Sequence, residues 1–121
     1  MDIRTVAVIG AGTMGAGIAQ VCAQTGWETR LFDAFPEGLA KGMAAADSFW
    51  DKGIARGKTT AEQKAEWEGN LSACADMAEA VSGADLVIEA VPEIMELKQS
   101  IFRDLESMAP AHAILATNTS G

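Results

Sequence analysis

Two stretches of the chain, Thr5 to Ile9 and Leu86 to Glu89, are continuously aliphatic but for the terminal Thr5 and Glu89, and most of what lies between them carries apolar residues three and four positions apart. Continuous aliphatic runs predict strands buried on both faces, and the wider spacing predicts amphipathic helices. Met14, Ile18, Val21 and Cys22 form the stripe of a first helix, which Gly26 stops. Glu28 to Phe32 follows as a second strand, closed by Asp33. Pro36 suits the first turn of the next helix, whose apolar positions Leu39, Met43, Ala46, Phe49, Trp50 and Ile54 continue to Gly57. Thr59 and Glu62 have capping-box spacing and start a third helix, ended by Gly69. Leu71 to Cys74 reads as a short strand, and Asp76 with Glu79 caps a short helix. Pro92 ends the Leu86 strand. Ile94, Leu97, Ile101, Leu105 and Met108 then mark a strongly amphipathic helix, and Ala113 to Thr117 is the last strand.

Strands alternating with helices in this way imply a doubly wound parallel α/β sheet of Rossmann type, since right-handed crossovers place helices on both faces. The whole chain, 1–121, is read as one such domain, with a helical pair inserted between strands two and three. That pair, from Pro36 to Gly69, far exceeds an ordinary crossover. Ligands of these sheets bind beyond the carboxyl ends of the strands. Four segments fall there: the loop after strand one, Asp33 after strand two, Ala90-Val91-Pro92-Glu93 after strand four, and Asn118 to Ser120 after strand five. The first is Gly10-Ala11-Gly12-Thr13-Met14-Gly15, a G-x-G-x-x-G sequence between a strand and a helix. Gly10 makes the tight turn, Gly12 lets the backbone approach a pyrophosphate, and Gly15 lets the helix pack closely on the strand. Glycine loops also serve plain turns. The acidic residue that a dinucleotide's ribose requires ~20 residues further on is present as Asp33.

Composition narrows the partners. A net charge of −8 argues against nucleic acid, which needs a basic stripe. No apolar run approaches the ~18 residues of a membrane span, and Met1-Asp2-Ile3-Arg4 lacks signal-peptide architecture. A cytoplasmic protein is expected. Its two cysteines, Cys22 and Cys74, read as reduced, buried thiols, and no metal site is expected.

The run Gly10 to Ala19, Asp33 at the end of strand two, the helical pair, Val87-Ile-Glu-Ala-Val-Pro-Glu93, Lys98 and Ile114-Leu-Ala-Thr-Asn-Thr-Ser120 together resemble the amino-terminal domain of 3-hydroxyacyl-CoA (3-hydroxybutyryl-CoA) dehydrogenases. The resemblance implies NAD as cofactor, with Asp33 on the adenosine ribose and Glu93 and Lys98 by the nicotinamide half. It sets Asn118 and Ser120, the catalytic candidates, facing the reacting carbon, with Ser120 hydrogen-bonded to the substrate's 3-oxygen. The helical pair would contact coenzyme A, and Arg56 and Lys58 are the nearest matches to the family's basic residues there. Acyl-CoA is thus the implied substrate and a homo-oligomer the implied assembly. Family members are more than twice this length, continuing into a sixth strand, a catalytic histidine with its glutamate partner, and a helical domain. This chain is therefore expected to lack that base and that domain, and to bind NAD without turnover.

The only histidine, His112, does not replace the base: five or six strand residues at ~3.3 Å each set it roughly 17 to 20 Å from the ligand edge. Simpler readings stand beside several of these roles. Glu93 and Glu96 suit a helix start whether or not a cofactor is near, and Asn118 and Ser120 also suit a turn after a strand. Lys98 runs against the dipole preference of early helical turns. A non-catalytic NAD-binding module, or a dehydrogenase acting on another hydroxy substrate, remains open at this level.

Overall fold

Val6 and Val8 point to one side of the first strand and Ala7 and Ile9 to the other, and all four are buried. The computed structural model describes residues 3–90 and 95–117, with side chains for all of these except 95–100, 102 and 117. In chain order the elements are β1 (Thr5–Ile9), α1 (Thr13–Thr25), β2 (Glu28–Phe32), α2 (Pro36–Ala55), α3 (Ala61–Asn70), β3 (Leu71–Ala73), α4 (Met77–Val81), β4 (Leu86–Glu89), α5 (Met95–Met108) and β5 (Ile114–Thr117). The strands form one parallel sheet in the order β3-β2-β1-β4-β5. The chain winds outward from β1 through β2 to β3, then returns to β1's other side for β4. Ligands sit where the winding reverses, above the carboxyl ends of β1 and β4.

Each face of the sheet has its own core. On one, Val6, Val8 and Leu31 meet Ala19, Cys22 and Ala23 of α1, Ala46 and Trp50 of α2, and Leu71. On the other, Ala7, Ile9 and Val87 meet Ala80 and Val81 of α4 and Leu105 of α5. The helical pair α2 and α3 packs on α1, so it contributes to the first core rather than standing clear of the domain. The Trp50 and Trp67 rings lie 5.9 Å apart between the two helices, and the Trp50 indole N–H donates to Gln24. Lys64 of α3 reaches Asp51 and Asp47 of α2 at 2.6 and 3.0 Å.

Three expectations are corrected. The stripe predicted for α1 is rotated: Met14 and Val21 are exposed, and the buried face is Gly15, Ala16, Ala19, Cys22 and Ala23. The helix lies so close to the sheet that only small residues fit beneath it. Phe49 of α2 is likewise exposed, while Gly42, Ala46 and Trp50 are buried. The α3 capping box is Thr60 with Gln63, each side chain accepting the other's backbone N–H at 3.0 Å, instead of Thr59 with Glu62. Thr59 is occupied one turn earlier, where its own N–H closes on the Gly53 carbonyl.

Candidate functional site: the carboxyl edge of β1, β2 and β4

The glycine loop leaves β1 through Gly10, whose φ of 108° is open to glycine and strained for other residues. The Gly10 N–H donates to the Phe32 carbonyl at 2.7 Å, which ties the turn to the end of β2. A Cβ at Gly15 would lie 1.7 Å from the Gly10 carbonyl oxygen, so α1 can begin at this distance from the strand only with glycine there. At Gly12 a Cβ would meet nothing within 4 Å, so the surface above that residue is open to a ligand. Gly12 is also the N-cap of α1, with no side-chain cap and no acid in the first turn. A helix start left in this state presents positive dipole and N–H groups to an anion.

Asp33 closes the site from the side of β2. Its Oδ2 accepts the Ala11 N–H and its Oδ1 accepts the Phe35 N–H, both at 2.8 Å. One carboxylate therefore holds the loop and the start of α2 together. Each oxygen accepts one of these bonds and has a further lone pair for a ribose hydroxyl. Two α2 glycines seat that helix against the same groups. A Cβ at Gly42 would fall 2.7 Å from the Ala11 carbonyl oxygen, and one at Gly38 would fall 3.2 Å from the Asp33 carboxyl carbon. Sequence reasoning passed over this pair, although two glycines four residues apart on one helix were a usable signal of close approach. It also missed the two amide anchors of Asp33.

From β4, the Ala90 N–H donates to the Ile9 carbonyl at 2.8 Å, which brings Ala90 beside the loop; Glu89, the last residue of the strand, is fully buried. Gly10, Ala11, Gly12, Thr13, Met14, Gly15, Asp33 and Ala90 thus meet at one edge. Val91, Glu93, Asn118 and Ser120 lie outside the described residues, as does the side chain of Lys98 in α5. Arg56 and Lys58 are exposed at the far end of α2, about 21 Å along the helix from the Gly42 contact at 1.5 Å per residue. His112 lies at the opposite edge of the sheet, its Nε2 2.9 Å from Asp85. Cys22 and Cys74 are free and buried in the separate cores of the two faces, and burial pushes both thiols up. Among the described residues, no group of three or more His, Cys, Asp or Glu could hold a metal ion, and no helix is long and apolar enough to cross a membrane. A cavity of about 420 Å³ lined by Arg30, Ser72, Cys74, Glu79 and Ser82 and one of about 170 Å³ lined by Met43, Asp47, Trp50, Glu68 and Leu71 do not include the loop or Asp33.

Known proteins resemble the chain over nearly its whole length. The family described as 3-hydroxyacyl-CoA dehydrogenase, NAD binding domain, matches residues 5–121. The 3-hydroxyadipyl-CoA dehydrogenase of Escherichia coli is 40% identical over 120 residues, which cover 99% of this chain and 25% of that protein. The mitochondrial hydroxyacyl-coenzyme A dehydrogenase of Rattus norvegicus is 41% identical over 124 residues, 98% of this chain and 39% of that one. A crystal structure of (S)-3-hydroxybutyryl-CoA dehydrogenase from Ralstonia eutropha superposes with a TM-score of 0.92 at 35% identity, covering 98% of this chain and 42% of that one. The chain spans between a quarter and about two fifths of the length of these relatives.

Proposed function

Because the chain belongs to the family of NAD-binding domains of 3-hydroxyacyl-CoA dehydrogenases, we propose that the protein it forms transfers a hydride between (S)-3-hydroxyacyl-CoA and NAD. The observation that carries this reading is the Asp33 carboxylate, fixed by the Ala11 and Phe35 amides beside an open, uncapped helix start. The residues fit a dinucleotide. Gly12 and the first turn of α1 would take the pyrophosphate, and Asp33 would take the adenosine ribose hydroxyls. NAD, when bound, supplies the hydride acceptor.

The chain's own residues have separable tasks in this proposal. Gly10 and Gly15 hold the loop against the sheet, and Ala90 borders it on the β4 side. Val91, Glu93 and Lys98 would line the nicotinamide half, while Asn118 and Ser120 would orient the substrate, with the Ser120 hydroxyl donating to its 3-oxygen. Arg56 and Lys58, exposed at the turn after α2, would meet phosphates of the coenzyme A moiety. A cytoplasmic setting and a homo-oligomer belong to the same proposal.

The test is acetoacetyl-CoA-dependent oxidation of NADH by the full-length protein, compared with its Arg56→Ala, Lys58→Ala double variant at low salt. The expected result is turnover that requires the CoA ester, with KM for that ester raised in the variant and kcat little changed. Full-length protein that binds NADH but never oxidises it with a 3-ketoacyl-CoA would refute the proposed reaction, and an unchanged KM would refute the role given to the two cations.

A further inference from the structure

Phe35 is the most exposed of the large apolar side chains among the described residues, at 68%. Its position is nevertheless closely defined. The backbone is the N-cap of α2 in an extended conformation, with φ −106° and ψ 116°. Pro36 follows, and a residue before proline is held away from the helical region. Its amide is bonded to the Asp33 carboxylate at 2.8 Å. The side chain therefore springs from a fixed point beside Asp33, and its exposed ring belongs to neither core.

An exposed Phe beside a carboxylate is useful to a ligand that offers hydroxyls next to a flat ring. In the cofactor reading above, on which this inference rests, the ribose on Asp33 carries adenine as its next group. We propose that Phe35 is the platform on which the adenine stacks, and that it sets how strongly the site depends on the adenosine end of NAD. Stacking needs a π-face and no hydrogen-bond code, which matches an edge position that offers a ring. Ala34 and Pro36 on either side cannot substitute for it.

The experiment titrates the protein and its Phe35→Ala, Phe35→Leu and Phe35→Tyr variants with NADH, NADPH and ADP-ribose, which keeps the adenosine end and lacks nicotinamide. Phe35→Ala and Phe35→Leu should each weaken NADH and ADP-ribose by the same factor, roughly 5- to 150-fold, the range for losing a base–aromatic stack. Phe35→Tyr should restore both. The ratio of NADH to NADPH affinity should stay at the parent value in every variant, because adenine is common to both cofactors and Asp33 is intact; a collapse of that ratio would mean that Phe35 acts only by holding Asp33. Parent-like ADP-ribose binding by Phe35→Ala, or a Leu variant as good as Tyr, would overturn the platform alone. A parent protein that binds none of the three ligands would overturn the cofactor reading beneath it.

Discussion

At the scale of single residues, the proposed cofactor reading gives Asp33 the choice between NAD and NADP. Its two oxygens already take the Ala11 and Phe35 amides, and they suit the paired hydroxyls of an unmodified ribose. A 2′-phosphate would bring like charge against them, and Ala34, Phe35 and Pro36 supply no cation to offset it. NADH should therefore bind at least about tenfold more tightly than NADPH, or ~1.4 kcal/mol. Asp33→Ala should narrow the difference, and equal affinities in the parent would contradict the assignment. This residue was legible because its distance from the glycine loop is dictated by the length of one helix and one strand. Its amide partners were not, because a backbone N–H leaves no mark in a sequence. The glycines of the loop were readable for a similar reason: their steric roles belong to a strand–turn–helix context that the apolar run through Ile9 already defined.

Among the elements, the strands were legible and the helix faces less so. A strand buried on both sides announces itself by unbroken aliphatic residues, as Val6 to Ile9 does. A helix pressed close to a sheet hides its buried face in glycine and alanine, and this is why Met14 and Val21 pointed the α1 stripe the wrong way. The start of α3 was ambiguous because Thr59 and Thr60 each stand three residues before a Glu or Gln, and only the closing of α2 on Thr59 separates them. Thr60→Ala should cost about 1 kcal/mol of stability, as an N-cap removal does, and Thr59→Ala clearly less through the cap. Paired thermal or urea melts check this, and a Thr59 cost through the cap as large as that of Thr60 would contradict the observed box. Lys64 adds a charge cluster across the same pair of helices. Asp51 and then Asp47 hold its ammonium raised above the ordinary lysine value, so it stays charged over the range in which the fold is studied.

Across the whole molecule, the edge away from the ligand is tied by one carboxylate. Asp85 accepts the N–H groups of Arg4 and Thr5 at 2.9 and 3.1 Å through Oδ2, and its Oδ1 meets His112 at 2.9 Å. It thereby joins the starts of β1, β4 and β5. The Arg4 amide, then His112 and the Thr5 amide, hold its carboxyl below the ordinary value of 3.8. A depressed folded value means that the stabilisation is present in full above the unfolded pKa and is lost as pH falls through the folded one. The parent should melt above Asp85→Ala at near-neutral pH, and the gap should close as the pH drops below about 3.8. A gap that stayed open well below that pH would show that Asp85 does not contribute in its charged form.

The Asp33 clasp also has a meaning in time. Ala11 and Phe35 lie in separate segments, yet their amides close on the two oxygens of one side chain. The glycine loop and the first turn of α2 therefore share a constraint on their excursions, since a swing of the carboxylate releases both N–H groups. Local opening in proteins proceeds in cooperative units rather than residue by residue. The two segments are therefore expected to loosen together, and in the proposed cofactor reading a ribose seated on Asp33 would steady both.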